Sequence, residues 1–176
     1  MPGVDYHKQY ADWAAGSDAY WQKQAEGLAW FKKPTVVSSP RDDGLADYFS
    51  DGMLNTAYLA LDHQVESGRG DQVALIYDSP VTKTIKRWTY GELLGEVEQL
   101  AGALSALGVG YGDRVIIYLP MVPEAAFAML ACARLGAIHS VVFGGFAPKE
   151  LATRIDDATP KVLLTCLLYT SPSPRD

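Results

Sequence analysis

Apolar residues recur through the middle of the chain with the period of a helix, then gather into short unbroken runs. Leu54, Tyr58, Leu61 and Val65 fall four, three and four residues apart, one face of a helix, and Gly68 supplies the stop. DQVALIYD then reads as a strand, and IKRWTY as a second extended piece. Thr89-Tyr-Gly-Glu92 pairs a hydroxyl at the N-cap with a carboxylate three residues on, a capping box. The helix it opens carries Leu93, Val97, Leu100, Leu104 and Leu107 on one stripe and Glu92, Glu96, Glu98 and Gln99 on the wet side, and Gly108 ends it. DRVIIYLP has no alternation, as expected of a strand covered on both faces, and Pro120 cannot continue its ladder.

The same punctuation continues. PEAAFAMLACARLGA places Pro123 at the first helical position, is apolar all round and closes at Gly136, so it belongs between layers. HSVVF is a short buried strand, GGFAP a turn, and PKELATRIDDA a helix with Leu151, Ile155 and Ala158 on one side. KVLLT begins a further strand. Strands and helices alternating through short loops predict right-handed crossovers and an α/β fold with a parallel, doubly wound sheet. A sheet whose last strand starts at the end of the chain is expected to be incomplete.

Residues 1–50 follow another pattern, with Tyr6, Tyr10, Trp13, Tyr20, Trp21, Trp30, Phe31, Tyr48 and Phe49 spread between polar stretches, Pro34 and Pro40. Two short helices are expected there, the second opening at Ser17 as N-cap, followed by the loop KKPTVVSSPRDDG. The rings are read as packing groups. The end of the chain, CLLYTSPSPRD, fits no core pattern.

Composition narrows the function classes. Across 176 residues, 48% hydrophobic and 20% charged, a core of single-domain size can form. A formal charge of −6 disfavours nucleic acid or an anionic membrane as partner, because both need clustered Lys and Arg. The longest apolar run, Ala125 to Ala133, is far shorter than the ~20 residues of a membrane span. The N-terminus lacks the marks of a signal or transit peptide. Cys132 and Cys166 offer neither a disulfide framework nor a metal-ligand spacing, so the expectation is a cytoplasmic protein without a metal site of its own.

Candidate chemistry is sparse. Val142-Phe143-Gly144-Gly145-Phe146 sets two glycines between a strand and a helix, where backbone can approach a ligand at the carboxyl end of a strand. A tight turn is the plainer alternative. The glycines of LGVGYGDR follow a helix and precede a strand, the reverse of a dinucleotide fingerprint. His139 and His63 are read as structural histidines. Asp156-Asp157 is read as a solvated helix end, with Arg154 pairing one of the two, and Cys132 as a small core hydrophobe.

The stretch MVPEAAFAMLACARLGAIHSVVFGGFAPKELATRIDDATPKV resembles the short-chain acyl-CoA synthetases of the adenylate-forming superfamily, the acetyl- and propionyl-CoA synthetases. The likeness runs back through FSDGMLNTAYLALDHQVESGRGDQVALIYDSPVT and RWTYGELLGEVEQLAGALSALGVGYGDRVIIYLP, so it covers residues 48–165. Residues 1–50 look like the family's leading segment and residues 51–165 like the first part of its AMP-binding domain. GRGDQVALIYDSPVT and ATRIDDATPKV look more like the propionyl than the acetyl enzymes. The resemblance implies a ligase that activates a short-chain carboxylate with ATP and Mg²⁺ and passes the acyl group to coenzyme A. It also implies that Phe143, Gly144 and Gly145 border the coenzyme A path, with Gly145 foremost.

The phosphate-cradling loop that this chemistry requires is not found, for Lys83, Lys86, Lys149 and Lys161 stand in no Gly/Ser/Thr-rich context. No catalytic residue is assigned, and the chain alone is expected to be an inactive fragment that binds no cofactor tightly. Residues 166–176 match, residue for residue, one reading frame of a transposase sequencing adaptor and are expected to be non-native. An acetate-CoA ligase fragment is the near alternative. A small non-catalytic α/β binding or interaction module is the rival from another class.

Overall fold

The computed structural model describes residues 5–143 and 148–166 and divides into two compact units, the first ending at Leu54 and the second beginning at Asn55. In the first unit, α1 (Tyr6–Ala15) starts where the Asp5 carboxylate accepts from the Lys8 N–H at 3.3 Å. Helix α2 (Ser17–Ala25) does not use Ser17 as its cap: Gly16 holds that position without a side-chain bond, and Ser17 is already helical. Strands β1 (Ser38–Pro40) and β2 (Ala46–Tyr48) then pair antiparallel, Ser38 opposite Tyr48. Tyr6, Tyr10 and Trp13 stand exposed along α1, and Ala25 is the unit's only fully buried residue among those described.

The second unit opens with a helical segment over residues 56–69 that contains two π-helical turns, Tyr58–Asp62 and Val65–Arg69. Asn55 starts it. Its Oδ1 accepts from the Ala57 and Tyr58 N–H groups while its Nδ2 donates to the Ala133 and Arg134 carbonyls. Leu61 is buried as its spacing requires, and Gly68 breaks the segment at φ 79°. Leu54 precedes the helix instead of sharing its face.

Strands β3 (Val73–Ser79) and β4 (Thr84–Thr89) correct the expectation of a single sheet. They form a separate antiparallel hairpin, with Ser79 opposite Thr84. Only residues 80–83 join them, and a parallel crossover needs a dozen or more residues. The capping box is present: the Thr89 N–H donates to Glu92 Oε2 at 2.8 Å, and the Glu92 N–H to Thr89 Oγ1 at 3.2 Å. Helix α3 (Tyr90–Ala106) buries Leu93, Val97, Ala101 and Leu104. The stripe stops one turn early, and Leu107 is 63% exposed beside Gly108 at φ 85°.

Among the described residues the parallel sheet has three strands in the order β6-β5-β7. Strand β5 (Arg114–Leu119) is central, and Val115, Ile116 and Ile117 are wholly buried, so it is covered on both faces. Helix α4 (Pro123–Leu135) has Pro at its start and Gly136 in the left-handed region at φ 68° as its C-cap. It packs with α3 on one face, where Phe127, Ala128, Ala131 and Cys132 meet Val97, Val115 and Ile117. Strand β6 (Ile138–Phe143) lies at an edge, so the expected buried strand is only half covered: Val142 is buried, but Ile138 and Val141 are exposed. Helix α5 (Pro148–Ala158) turns Leu151, Ile155 and Ala158 inward, and Arg154 pairs with Glu150 one turn back at 3.2 Å. Strand β7 (Val162–Thr165) lies on the far side of β5. Right-handed crossovers to opposite sides of β5 put α4 and α5 on opposite faces, a doubly wound arrangement.

Candidate functional site at the carboxyl ends of the strands

In a doubly wound sheet the chain leaves one central strand towards one edge and its neighbour towards the other, and the loops part there to leave a crevice. Here β5 feeds β6 on one side while β7 lies on the other, so the switch point falls between β5 and β7. A hollow of about 480 Å³ occupies that place. Its floor is apolar, from Leu100, Leu119, Phe127 and Leu164, and Glu96, Glu124, Thr165 and Cys166 stand at its sides. Leu119 is there because Pro120 ends β5, and Glu124 because Pro123 starts α4 immediately after.

Phe143 closes β6 at the same end of the sheet, directly opposite Leu119 in the ladder. Gly144 and Gly145 lie outside the described residues. His139 is exposed on the edge strand, not held in a buried one, and His63 packs its ring 6.3 Å from that of Tyr58. The Tyr58 hydroxyl donates to Glu66 at 2.7 Å, and that bond raises its pKa above the ordinary value. Cys132 is fully buried, and burial pushes its thiol up to about 11, so it is an inert core group as expected.

Several charged groups of the unit serve its structure. Arg134 spans Asp62 at 2.7 Å and Glu98 at 2.9 Å, and the Asp62 bond raises its pKa further. Lys161 is engaged with Asp113, and Lys86 sits 4.4 Å over the Trp88 ring. Among the described residues the hollow at the switch point has carboxylates and no Lys, Arg or His in its lining, so these residues do not fit a phosphate chain. No group of three or more His, Cys, Asp or Glu able to hold a metal ion occurs among the described residues. Sequence reasoning missed the hollow, because it depends on β7 lying beside β5.

A doubly wound half-sheet that follows an aromatic-rich leading segment in the sequence defines an α/β class, and comparison narrows it. The chain belongs to the AMP-binding enzymes, whose family model matches residues 61–175, while the model of the acetyl-coenzyme A synthetase N-terminus matches residues 6–60. The α/β layers are those of the N-terminal part of the adenylate-forming domain. An uncharacterized protein of Pseudomonas aeruginosa is 64% identical over 92% of this chain and 26% of its own length. The mitochondrial acyl-CoA synthetase short-chain family member 3 of Bos taurus is 49% identical over 93% of the chain and 24% of its own. The acetyl-coenzyme A synthetase of Streptomyces coelicolor is 49% identical over 83% and 22%. The chain spans about a quarter of the length of these relatives. No helix among the described residues is long and apolar enough to cross a membrane.

Proposed function

We propose that the chain is part of a cytoplasmic AMP-forming ligase for short carboxylates, propionate before acetate. The carboxylate oxygen attacks the α-phosphate of ATP, giving the acyl-adenylate and pyrophosphate. The thiol of coenzyme A then attacks the acyl carbon and releases AMP, the thiol proton passing to solvent. What supports this reading is the 49% identity to a short-chain acyl-CoA synthetase over nearly the whole chain, joined to the wording of GRGDQVALIYDSPVT. Residues 1–50 are read as the leading segment, residues 51–165 as the first part of the AMP-binding domain and residues 166–176 as a non-native tail.

ATP and Mg²⁺ supply the activation, and no residue of this chain is assigned to them, since the phosphate-cradling loop that this chemistry requires is not found in its sequence. The chain's own part lies at the carboxyl end of β6, where Phe143 with Gly144 and Gly145 is proposed to border the path of the coenzyme A thiol. A side chain at Gly145 would narrow that path and leave the adenylation step alone.

Pyrophosphate release and acyl-CoA formation by the longer protein encoded in the source DNA test both parts. Propionate is expected to exceed acetate in kcat/KM. Gly145→Val is expected to suppress acyl-CoA while sparing pyrophosphate release. The 176-residue chain is expected to do neither, and pyrophosphate release by it alone would refute the reading. A Gly145→Val protein that makes acyl-CoA at the normal rate would remove the site assignment.

A further inference from the structure

The first unit holds a hollow that its small core does not explain. About 220 Å³ in volume, it is walled by the Trp30 and Phe49 rings, with Glu26 and Lys33 also in its lining. The ring centroids are 5.7 Å apart and the planes tilted by 56°, so the two faces make an open corner.

Both rings are held in place. The Trp30 indole N–H donates to the Ala25 carbonyl at 2.8 Å. Its far edge rests on Gly52, where a Cβ would sit 2.7 Å from Cζ3. Phe49 occupies the left-handed region at φ 53°, a costly conformation for a bulky residue, and its N–H is tied to the Val37 carbonyl at 2.9 Å. Asp51 fastens the facing loop. It accepts from the Thr35 N–H at 2.9 Å, from the Thr35 hydroxyl at 2.6 Å and from the Val36 N–H at 3.2 Å. A unit with one fully buried residue among those described thus spends backbone strain and a four-bond clamp on holding two rings in a fixed, tilted arrangement.

The charges in the lining differ in sign. Glu26 follows the last residue of α2, where the negative end of the helix dipole adds to its carboxylate. The ring faces carry the negative side of their quadrupoles, so this part favours a cation. Lys33 favours an anion. We infer that the corner between Trp30 and Phe49 binds a small zwitterion. Its alkylammonium head lies on the ring faces beside Glu26, and its carboxylate reaches Lys33.

Trimethylglycine is the probe, because 3,3-dimethylbutanoate has the same shape without the positive head and tetramethylammonium has the head alone. Among the four tryptophans, the ¹⁵N-labelled indole signal of Trp30 is assigned with Trp30→Phe and followed in the full chain. Trimethylglycine is expected to shift it with a Kd of about 1 mM. Dimethylbutanoate is expected to bind at least about tenfold more weakly. Glu26→Gln is expected to weaken trimethylglycine by a similar factor. Lys33→Gln is expected to weaken trimethylglycine and leave tetramethylammonium unchanged. The indole signals of Trp13 and Trp21, on the two helices of the same unit, report that each variant is folded. Equal binding of dimethylbutanoate, or no shift of Trp30 with Trp13 and Trp21 unperturbed, would overturn the assignment.

Discussion

Lys161 Nζ donates to Asp113 Oδ2 at 3.0 Å, and the pair fastens the entry to β7 onto the turn that launches β5. The same ammonium donates to the Gly108 carbonyl, and the Gly110 N–H donates to Asp113 at 2.8 Å. Arg114 completes the joint by donating to the Ala158 carbonyl at 2.9 Å and the Thr159 hydroxyl at 3.0 Å. The joint sets the register in which β7 meets β5, and so the far wall of the hollow at the switch point.

A pH dependence follows. The Lys161 ammonium, then the Gly110 N–H, hold the Asp113 carboxyl below the ordinary carboxylate range. A depressed folded-state pKa stabilises above the unfolded value, about 3.9, and the gain is lost as pH falls through the folded value. Asp113→Asn is therefore expected to melt below the wild type at pH 7, with the gap closing as pH drops below about 4. Thermal melts at both pH values check it. A gap that persists in acid would assign the effect to geometry, not to charge.

Gly136 caps α4 at φ 68°, and a Cβ there would stand 2.7 Å from Tyr111 Cδ2. Gly136→Ala is expected to cost at least about 1 kcal/mol from backbone strain alone, with the ring clash added. Tyr111 is 94% exposed, so Tyr111→Ala by itself should change little. The double variant is expected to recover the clash but not the strain. Urea denaturation of the two single variants and the double variant separates these parts as a coupling energy.

Local signals carried most of the elements. The Thr89–Glu92 box, Pro123 and Gly136 mark helix ends through bonds or torsions confined to a few residues, so sequence shows them directly. Strand partners are set by distant residues. DQVALIYD reads as a strand whether it joins a parallel sheet or a hairpin, and only the brevity of residues 80–83 distinguishes the two. Leu107 fits the α3 stripe by period, yet the left-handed Gly108 turns the chain away first. Phe143 was legible as a strand end before a glycine pair. The crevice between β5 and β7 was not, because the order β6-β5-β7 decides which loops part.

The two thiols should separate cleanly in reactivity. Cys132 is fully buried in the α3/α4 core with its thiol pushed up to about 11, whereas Cys166 is partly exposed beside the hollow. Thiolate is the reacting form, so at pH 8 a disulfide reagent is expected to label one equivalent quickly. Cys166→Ser is expected to abolish that phase. Cys132 should appear only as denaturant opens the core. Two fast equivalents in the native protein would show that α4 is not packed as described.

The face of the sheet against α3 and α4 should carry more stability than its edge. Ile117 is fully buried on the central strand between Val115 and Leu119 and faces the helices, whereas Val141, its partner in the parallel ladder, is 52% exposed on edge strand β6. Removing buried methylene groups forfeits transfer free energy and leaves a cavity. Ile117→Val is expected to cost about 1 kcal/mol and Ile117→Ala about 2–5 kcal/mol. Val141→Ala should cost clearly less than Ile117→Ala, because its site is open to water and no cavity is left. Chemical denaturation of the three variants provides the comparison. Equal losses at the two positions would mean that the edge is covered in solution, and the α3/α4 face would then not be the principal core.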